Sequence, residues 1–353
     1  MKSNVLILGA SYGSLLGSKI LLAGHRVTLV CTTATAELIN REGTVVRFPV
    51  KGRDSLLEVA SKDLPGSLTA ATPDGVEPSQ FDLAVLAMQE AQYGSAGVRE
   101  LMGRLAAARL PCLAITNMPP LPYLKRLPGL TAETLEPCYN DPRVWDGFDP
   151  GCVTLASADP QAFRPPGQPK NVLQVSLPTN FKAARFDAEQ ATAQLRKLET
   201  DIEQARFNSD EGPIELPVKL RVHDSIFVPL AKWPMLLAGN YRCIQPDGIV
   251  SIEQAVHANP GKSRDIYDWV RKVCMTLGAD EGDLVPFDKY ARAADGLAKP
   301  STVARALQGG AKHVERVDCL VRRIALQHGL RSDTLDEMVA LLDGQLKKNR
   351  TSR

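Results

Sequence analysis

The apolar positions announce alternating strands and helices in the first third of the chain. Asn4-Val5-Leu6-Ile7-Leu8 is a short unbroken apolar run, the pattern of a strand covered on both faces. A glycine-containing turn follows, then a helical stretch from Tyr12 to Ala23 that Gly24-His25 closes, as glycine does at a helix C-terminus. Arg26-Val27-Thr28-Leu29-Val30 is a second strand. Leu83-Ala84-Val85-Leu86-Ala87, entered through Asp82, and Pro111-Cys112-Leu113-Ala114-Ile115-Thr116 are two more, with helical composition over 94–109 between them. Such alternation predicts a parallel, doubly wound sheet.

The pattern then changes. Residues 131–185 are rich in Pro, Gly and Asp, with β-like pieces at 152–155 and 172–175, and 187–205 reads as an amphipathic helix. Asn208-Ser209-Asp210-Glu211-Gly212-Pro213 is turn-rich and the best candidate for a boundary or hinge. From Asp224 onward the periodicity is almost all helical, with segments near 224–243, 261–277, 301–328 and 333–347. The expected architecture is α/β: a Rossmann-type domain over 1–207, followed by an all-α domain over 208–353.

A chain of 353 residues with 44% hydrophobic and 23% charged residues is an ordinary folded protein of about two domains. Its net charge of +2 comes without a sustained Lys/Arg patch, so no nucleic-acid partner is expected. No apolar run is long enough for a membrane span, and the N-terminus enters a strand directly without a leader-like segment. The seven cysteines include no CxxC pair and indicate neither a disulfide framework nor a zinc site. A cytoplasmic protein without a membrane partner is the expectation.

The chemistry begins at Gly9-Ala10-Ser11-Tyr12-Gly13-Ser14-Leu15-Leu16-Gly17. A dinucleotide pyrophosphate needs backbone N–H groups at a helix N-terminus and no bulky side chain in the way. Gly9 permits the sharp exit from the strand. Gly13 and Gly17, four apart, share a helix face and let it approach the sheet. The turn is one residue shorter than GxGxxG, and Ser11 stands near the second glycine, where its hydroxyl can serve a phosphate oxygen. Cofactor choice is read after the second strand. Cys31-Thr32-Thr33 lacks the carboxylate that would hold the ribose hydroxyls of NAD, and two hydroxyls there suit a 2′-phosphate, although no arginine is adjacent. NADP is therefore expected over NAD.

The run from Gly9 to Gly17, continued by Leu22-Ala23-Gly24-His25-Arg26-Val27-Thr28-Leu29-Val30, resembles the ketopantoate reductase (2-dehydropantoate 2-reductase) family. Ala87-Met88-Gln89-Glu90-Ala91-Gln92 is similar to that family's V-K-x-x-Q, Thr116-Asn117 to its Q-N-G, Ala231-Lys232-Trp233 through Asn240 to its K-L-x-x-N-x-x-x-N helix, and Lys299-Pro300-Ser301-Thr302 through Gly329 to its last long helix. The resemblance implies reduction of a 2-oxo acid by NADPH, in which a positioned ammonium protonates the oxygen where charge develops. Lys232 would be that donor. Asn240, two helical turns on, would hold the substrate, Ser301 and either His313 or Glu315 would complete the catalytic set, and a homodimer is possible. Gly9, Ala10, Ser11, Tyr12, Gly13, Thr32, Thr33, Gln89, Gln92 and Asn117 would bind the cofactor. Three positions depart from the family: Ser11, Gln89 (its lysine) and Leu236 (its first helix asparagine). These leave open a different 2-oxo or 2-hydroxy acid substrate, an imine as in opine dehydrogenases, another alcohol, or a non-catalytic NADP(H)-sensing protein.

Overall fold

The computed structural model describes residues 2–351 and divides into two compact units. Among the described residues, the first comprises 2–88, 92–123 and 143–224; the second comprises 89–91, 124–142 and 225–351.

Eight strands form the central sheet of the first unit: β1 (Asn4–Leu8), β2 (Arg26–Val30), β3 (Ser67–Ala71), β4 (Leu83–Leu86), β5 (Cys112–Ile115), β6 (Val153–Ser157), β7 (Phe181–Ala184) and β8 (Leu220–His223). Their order is β8-β7-β6-β5-β4-β1-β2-β3, parallel throughout except where β7 meets β6. Six of them thus run 3-2-1-4-5-6, the doubly wound order that reverses between β1 and β4. Strands β1, β4 and β5 carry unbroken apolar runs because both faces are covered. Helices α1 (Gly13–Leu22), α2 (Thr33–Glu42), α3 (Val98–Ala107) and α4 (Glu189–Gln204) belong to this unit. Leu15, Leu16 and Ile20 of α1 share one buried core with Leu195, Leu198 and Ile202 of α4.

The expected Rossmann start is present within a residue or two. The later part of the unit is more elaborate than the sequence suggested. A second, four-stranded sheet joins Val45–Phe48, Leu57–Ala60, Gln161–Phe163 and Val172–Leu177, and pairs Val172 with Val45 across more than a hundred residues of chain. Residues 208–213, expected as a boundary, lie in a hairpin between Phe207–Ser209 and Gly212–Ile214, after which β8 returns to the main sheet. The contacts break instead at Asp224.

Lys19 of α1 is a buried lysine, 1% exposed, whose ammonium donates to the Leu216 carbonyl at 2.7 Å. Burial lowers its pKa to about 8; the Lys219 ammonium adds to the effect, and Glu215 and Glu203 oppose it. Below about pH 8 the charge is carried in both folded and unfolded chains, and its burial cost is fully present. As pH rises towards 10.5 the folded chain gives up a proton that the unfolded chain keeps, so stability should rise, by about 3 kcal/mol in all. Urea unfolding across this range should show the gain, and Lys19→Met should remove it. Equal pH slopes in the two proteins would refute the assignment. Lys219, whose pairs with Glu203 and Glu215 raise its pKa against its own desolvation, remains in both proteins.

The second unit is mainly helical: α5 (Ile252–His257), α6 (Pro260–Thr276), α7 (Phe287–Ala294), α8 (Thr302–Gln308), α9 (Val317–Gln327) and α10 (Asp333–Thr351). Among the described residues no helix is long and apolar enough to cross a membrane. Residues 132–138 join this unit by lying along α9. Arg323 donates to the Thr134 carbonyl at 3.1 Å, Gln327 to the Thr134 hydroxyl at 2.6 Å, and the Cys138 thiol to Cys319 at 3.3 Å. The helix expected over 301–328 is broken. Gly309 and Gly310 end α8, with Gly310 at φ +83° and Ala311 N–H returning to the Ala306 carbonyl, so His313 and Glu315 lie in the link between helices.

Candidate active site

In the first unit the cofactor candidates collect at the reversal point of the sheet. Gly9 leaves β1 at φ +107°, a conformation costly for any side chain, and its N–H is held by the Val30 carbonyl at 3.0 Å. A Cβ on Gly9 would stand 2.8 Å from the Ala87 oxygen and 2.9 Å from Met88 Cγ, so the exits of β1 and β4 meet there. A Cβ on Gly13 would meet Ile7 Cγ2 at 2.5 Å and Ala87 Cβ at 3.2 Å. Gly17 differs: its nearest neighbour would be at 3.5 Å, ordinary contact, so only Gly13 is needed for close approach. No side chain caps the start of α1.

Tyr12 corrects one expectation. Its hydroxyl donates to the Pro160 carbonyl at 2.7 Å and its ring meets Phe181 edge-on at 5.8 Å, so only its backbone is available to a ligand. Burial, first, and the nearby Asp159 charge hold its phenol well above the ordinary range. Ala10 is buried, and its carbonyl accepts from the Ser14 hydroxyl at 2.5 Å; Ser11 is half-buried.

Asn117 follows β5. The bend there is held by the Thr116 hydroxyl, which donates to the Met118 carbonyl at 2.8 Å, rather than by Asn117 itself. The Asn117 Oδ1 atom is buried without a hydrogen-bond partner. An acceptor in that state costs on the order of 1–3 kcal/mol unless a ligand supplies a donor. Gln92 is exposed one short turn beyond β4.

At the end of β2, Thr32 and Thr33 are exposed at the start of α2. A distant arginine, beyond any local reading, lies near Cys31, the residue just before them. Arg164, at the end of strand Gln161–Phe163, is close enough to Cys31 for its charge to oppose the burial that raises the thiol to about 11. Arg164 is itself exposed, and partial desolvation lowers its pKa.

The proton-donor candidate lies in the second unit, in a segment that is not one regular helix. Val228–Ala231 forms a 3₁₀ turn, Lys232–Met235 a single α turn, and Leu236–Asn240 a π turn. Pro234 has no N–H for the carbonyl four residues back, Leu230, and the Cys274 thiol reaches that oxygen at 3.8 Å. Tyr290 donates to the Met235 carbonyl at 3.0 Å and fits only because residue 239 is glycine, where a Cβ would come within 2.0 Å of its hydroxyl. The wider turn matters for alignment. Eight residues exceed two α turns of about 7.2, and a π turn absorbs the excess, returning Asn240 towards the Lys232 side. Both side chains are half-buried between buried apolar neighbours.

Asn240 and its neighbour gather the remaining candidates. The Ser301 hydroxyl donates to the Asn240 carbonyl at 2.6 Å and accepts from Ala304 N–H at 3.2 Å, so Ser301 caps α8 and fastens it to this segment. Tyr241 donates to the Glu315 carbonyl at 2.6 Å and accepts from Val317 N–H at 2.9 Å, which fixes the link carrying His313 and Glu315. His313 reaches Asn140, not anticipated from the sequence, and Asn140 reaches Glu90. Gln89, beside Glu90, is exposed.

No family sequence model matches the chain, and no curated protein matches it in sequence. Solved structures are similar. A D-mandelate dehydrogenase solved with NADH and anilino(oxo)acetate aligns over 99% of this chain and 100% of its own, with a TM-score of 0.66 and 14% identity. The 2-dehydropantoate 2-reductase of Methylococcus capsulatus aligns over 99% and 98%, with 0.66 and 14%. The dimeric ketopantoate reductase of Staphylococcus aureus aligns over 98% and 99%, with 0.59 and 13%. The chain is built on the ketopantoate reductase fold, a Rossmann-type α/β unit together with a helical unit.

Proposed function

We propose that this chain is an NADPH-dependent oxidoreductase that interconverts a 2-oxo acid and the corresponding 2-hydroxy acid, with Lys232 as the proton donor. The observation that carries the reading is the tight turn between Gly9 and Gly13, which close approach to the sheet confines to glycine at both ends, set where the strand order reverses. The unpartnered Oδ1 of Asn117 supports it, as an acceptor suited to the carboxamide N–H of a nicotinamide. Bound NADPH supplies a hydride for the carbonyl carbon.

The protein's part is then electrostatic and positional. Backbone N–H groups of residues 10–13 receive the diphosphate at the start of α1. Lys232 stabilises charge developing on the substrate oxygen and delivers a proton to it. Asn240 orients the substrate hydroxyl or carboxylate. The structural relatives act on 2-dehydropantoate and D-mandelate by name, and a homodimer is proposed on the analogy of the dimeric one. A screen of NADPH oxidation against a panel of 2-oxo acids tests the reading; no turnover with any of them, together with no NADPH binding, would refute it.

Preference for the phosphorylated cofactor is proposed to rest on Arg164 with Thr32 and Thr33. Arg164→Ala should weaken NADPH binding by about 1.5–3 kcal/mol, the worth of a hydrogen bond to a charged group, and leave NADH unchanged. Titration of both cofactors by fluorescence checks this. Equal losses for the two would remove Arg164 from the 2′-phosphate.

A further inference from the structure

Glu90, Asn140 and His313 meet in the second unit from three separate stretches of chain. Glu90 is 4% exposed. Its Oε1 accepts the Asn140 backbone N–H at 2.9 Å, its Oε2 accepts from the Asn140 side-chain Nδ2, and the Asp141 backbone N–H adds a further bond. The other end of the same amide, Oδ1, lies 2.5 Å from His313 Nδ1. Burial raises the Glu90 pKa, while its three donors all favour the ionised carboxylate.

The hydrogen positions follow from what each atom can do. A carboxylate only accepts, so it draws Nδ2 of Asn140 to itself and leaves Oδ1 facing the imidazole. Oδ1 cannot donate, so His313 Nδ1 must carry the hydrogen. We infer that Glu90, acting through the Asn140 amide, fixes His313 as the Nδ1–H tautomer and makes Nε2 its working atom. Glu90 and Asn140 are positioning residues. Nε2 of the neutral ring accepts a proton when a 2-hydroxy acid is oxidised, and on the imidazolium it donates one when a 2-oxo acid is reduced, as a second proton-handling group beside Lys232. That last role rests on the proposed oxidoreductase reading; the tautomer does not.

The chain of donors makes an unusual prediction for Glu90→Gln. The new amide places its oxygen against the Asn140 and Asp141 backbone N–H groups and turns its NH₂ towards the Asn140 side chain. Asn140 must then rotate, present Oδ1 to that NH₂ and Nδ2 to His313, and force the imidazole hydrogen onto Nε2. Side-chain ¹⁵N shifts, read with the ring neutral, report this directly, and His313→Gln identifies the signal among five histidines. The expected result is Nδ1–H in the wild type and Nε2–H in Glu90→Gln. Asn140→Leu gives a second reading should Glu90→Gln fail to fold: without the acceptor, Nδ1–H should cease to dominate. An Nε2–H wild type, or a tautomer unmoved by these substitutions, overturns the inference. With an active substrate, Glu90→Gln should lower kcat by on the order of 10²-fold with little change in KM. An inverted tautomer in a protein that turns over no 2-oxo acid would uphold this inference while refuting the oxidoreductase reading.

Discussion

Lys232→Ala should lower kcat for 2-oxo acid reduction by about 10²–10⁴-fold while the affinity for NADPH stays at its wild-type value. The size follows from what is removed: a cation at the oxygen on which charge appears, and the proton that oxygen takes up. The separation of kcat from cofactor affinity follows because the proposed cofactor residues, Gln89 excepted, belong to the other compact unit. The segment around Lys232 is held by buried Leu230, Trp233 and Leu237, so truncating a half-buried side chain there should leave the backbone in place. Steady-state kinetics with a fluorescence titration of NADPH decides the matter. A variant that keeps wild-type kcat would show that Lys232 is a packing residue, and an NADP(H)-sensing protein would then be the better reading.

The second large effect is expected from a contrast between two glycines of one helix. Gly13→Val should destabilise the protein by about 3 kcal/mol and abolish its stabilisation by NADPH. A Cβ at that position would already be 2.5 Å from Ile7 Cγ2, and valine adds two further methyl groups against a strand that cannot retreat, since both its neighbours are paired to it. Gly17→Ala, four residues on, should be neutral or stabilising by up to about 1 kcal/mol. Its Cβ would find only contacts of 3.5–4.0 Å, and alanine is the better helix former. Urea unfolding with and without NADPH measures both terms, and a ligand at a hundred times its dissociation constant should add about 2.7 kcal/mol to the wild type. Equal behaviour of the two variants would mean that α1 does not depend on close approach at Gly13.

Much of the first unit was legible because its signals are local. An apolar run of five residues, a glycine that must adopt positive φ and a glycine that closes a helix each act within a few residues of themselves, and β1, α1 and β2 stand where they were expected. The break in the helix over 301–328 was also available locally, in Gly309-Gly310, and the resemblance to a long helix masks it. Counting residues to choose between His313 and Glu315 therefore assumes a regular helix that is absent.

The rest depended on contacts that no short window contains. Arg164 reaches the end of β2 only because strand Gln161–Phe163 pairs into the second sheet. Glu90 reads locally as one more polar residue in a strand-end loop, and only the fold sets it against Asn140 and, through it, His313. The Met235 carbonyl, at the start of the π turn that ends at Asn240, is held by Tyr290, which no short window contains. By itself, then, the sequence determined the strand–turn–helix that can receive a diphosphate, since backbone geometry and periodicity are properties of neighbouring residues. Which charged and polar groups meet one another, as Glu90, Asn140 and His313 do, was decided by tertiary structure, because partners distant in the chain are chosen by packing.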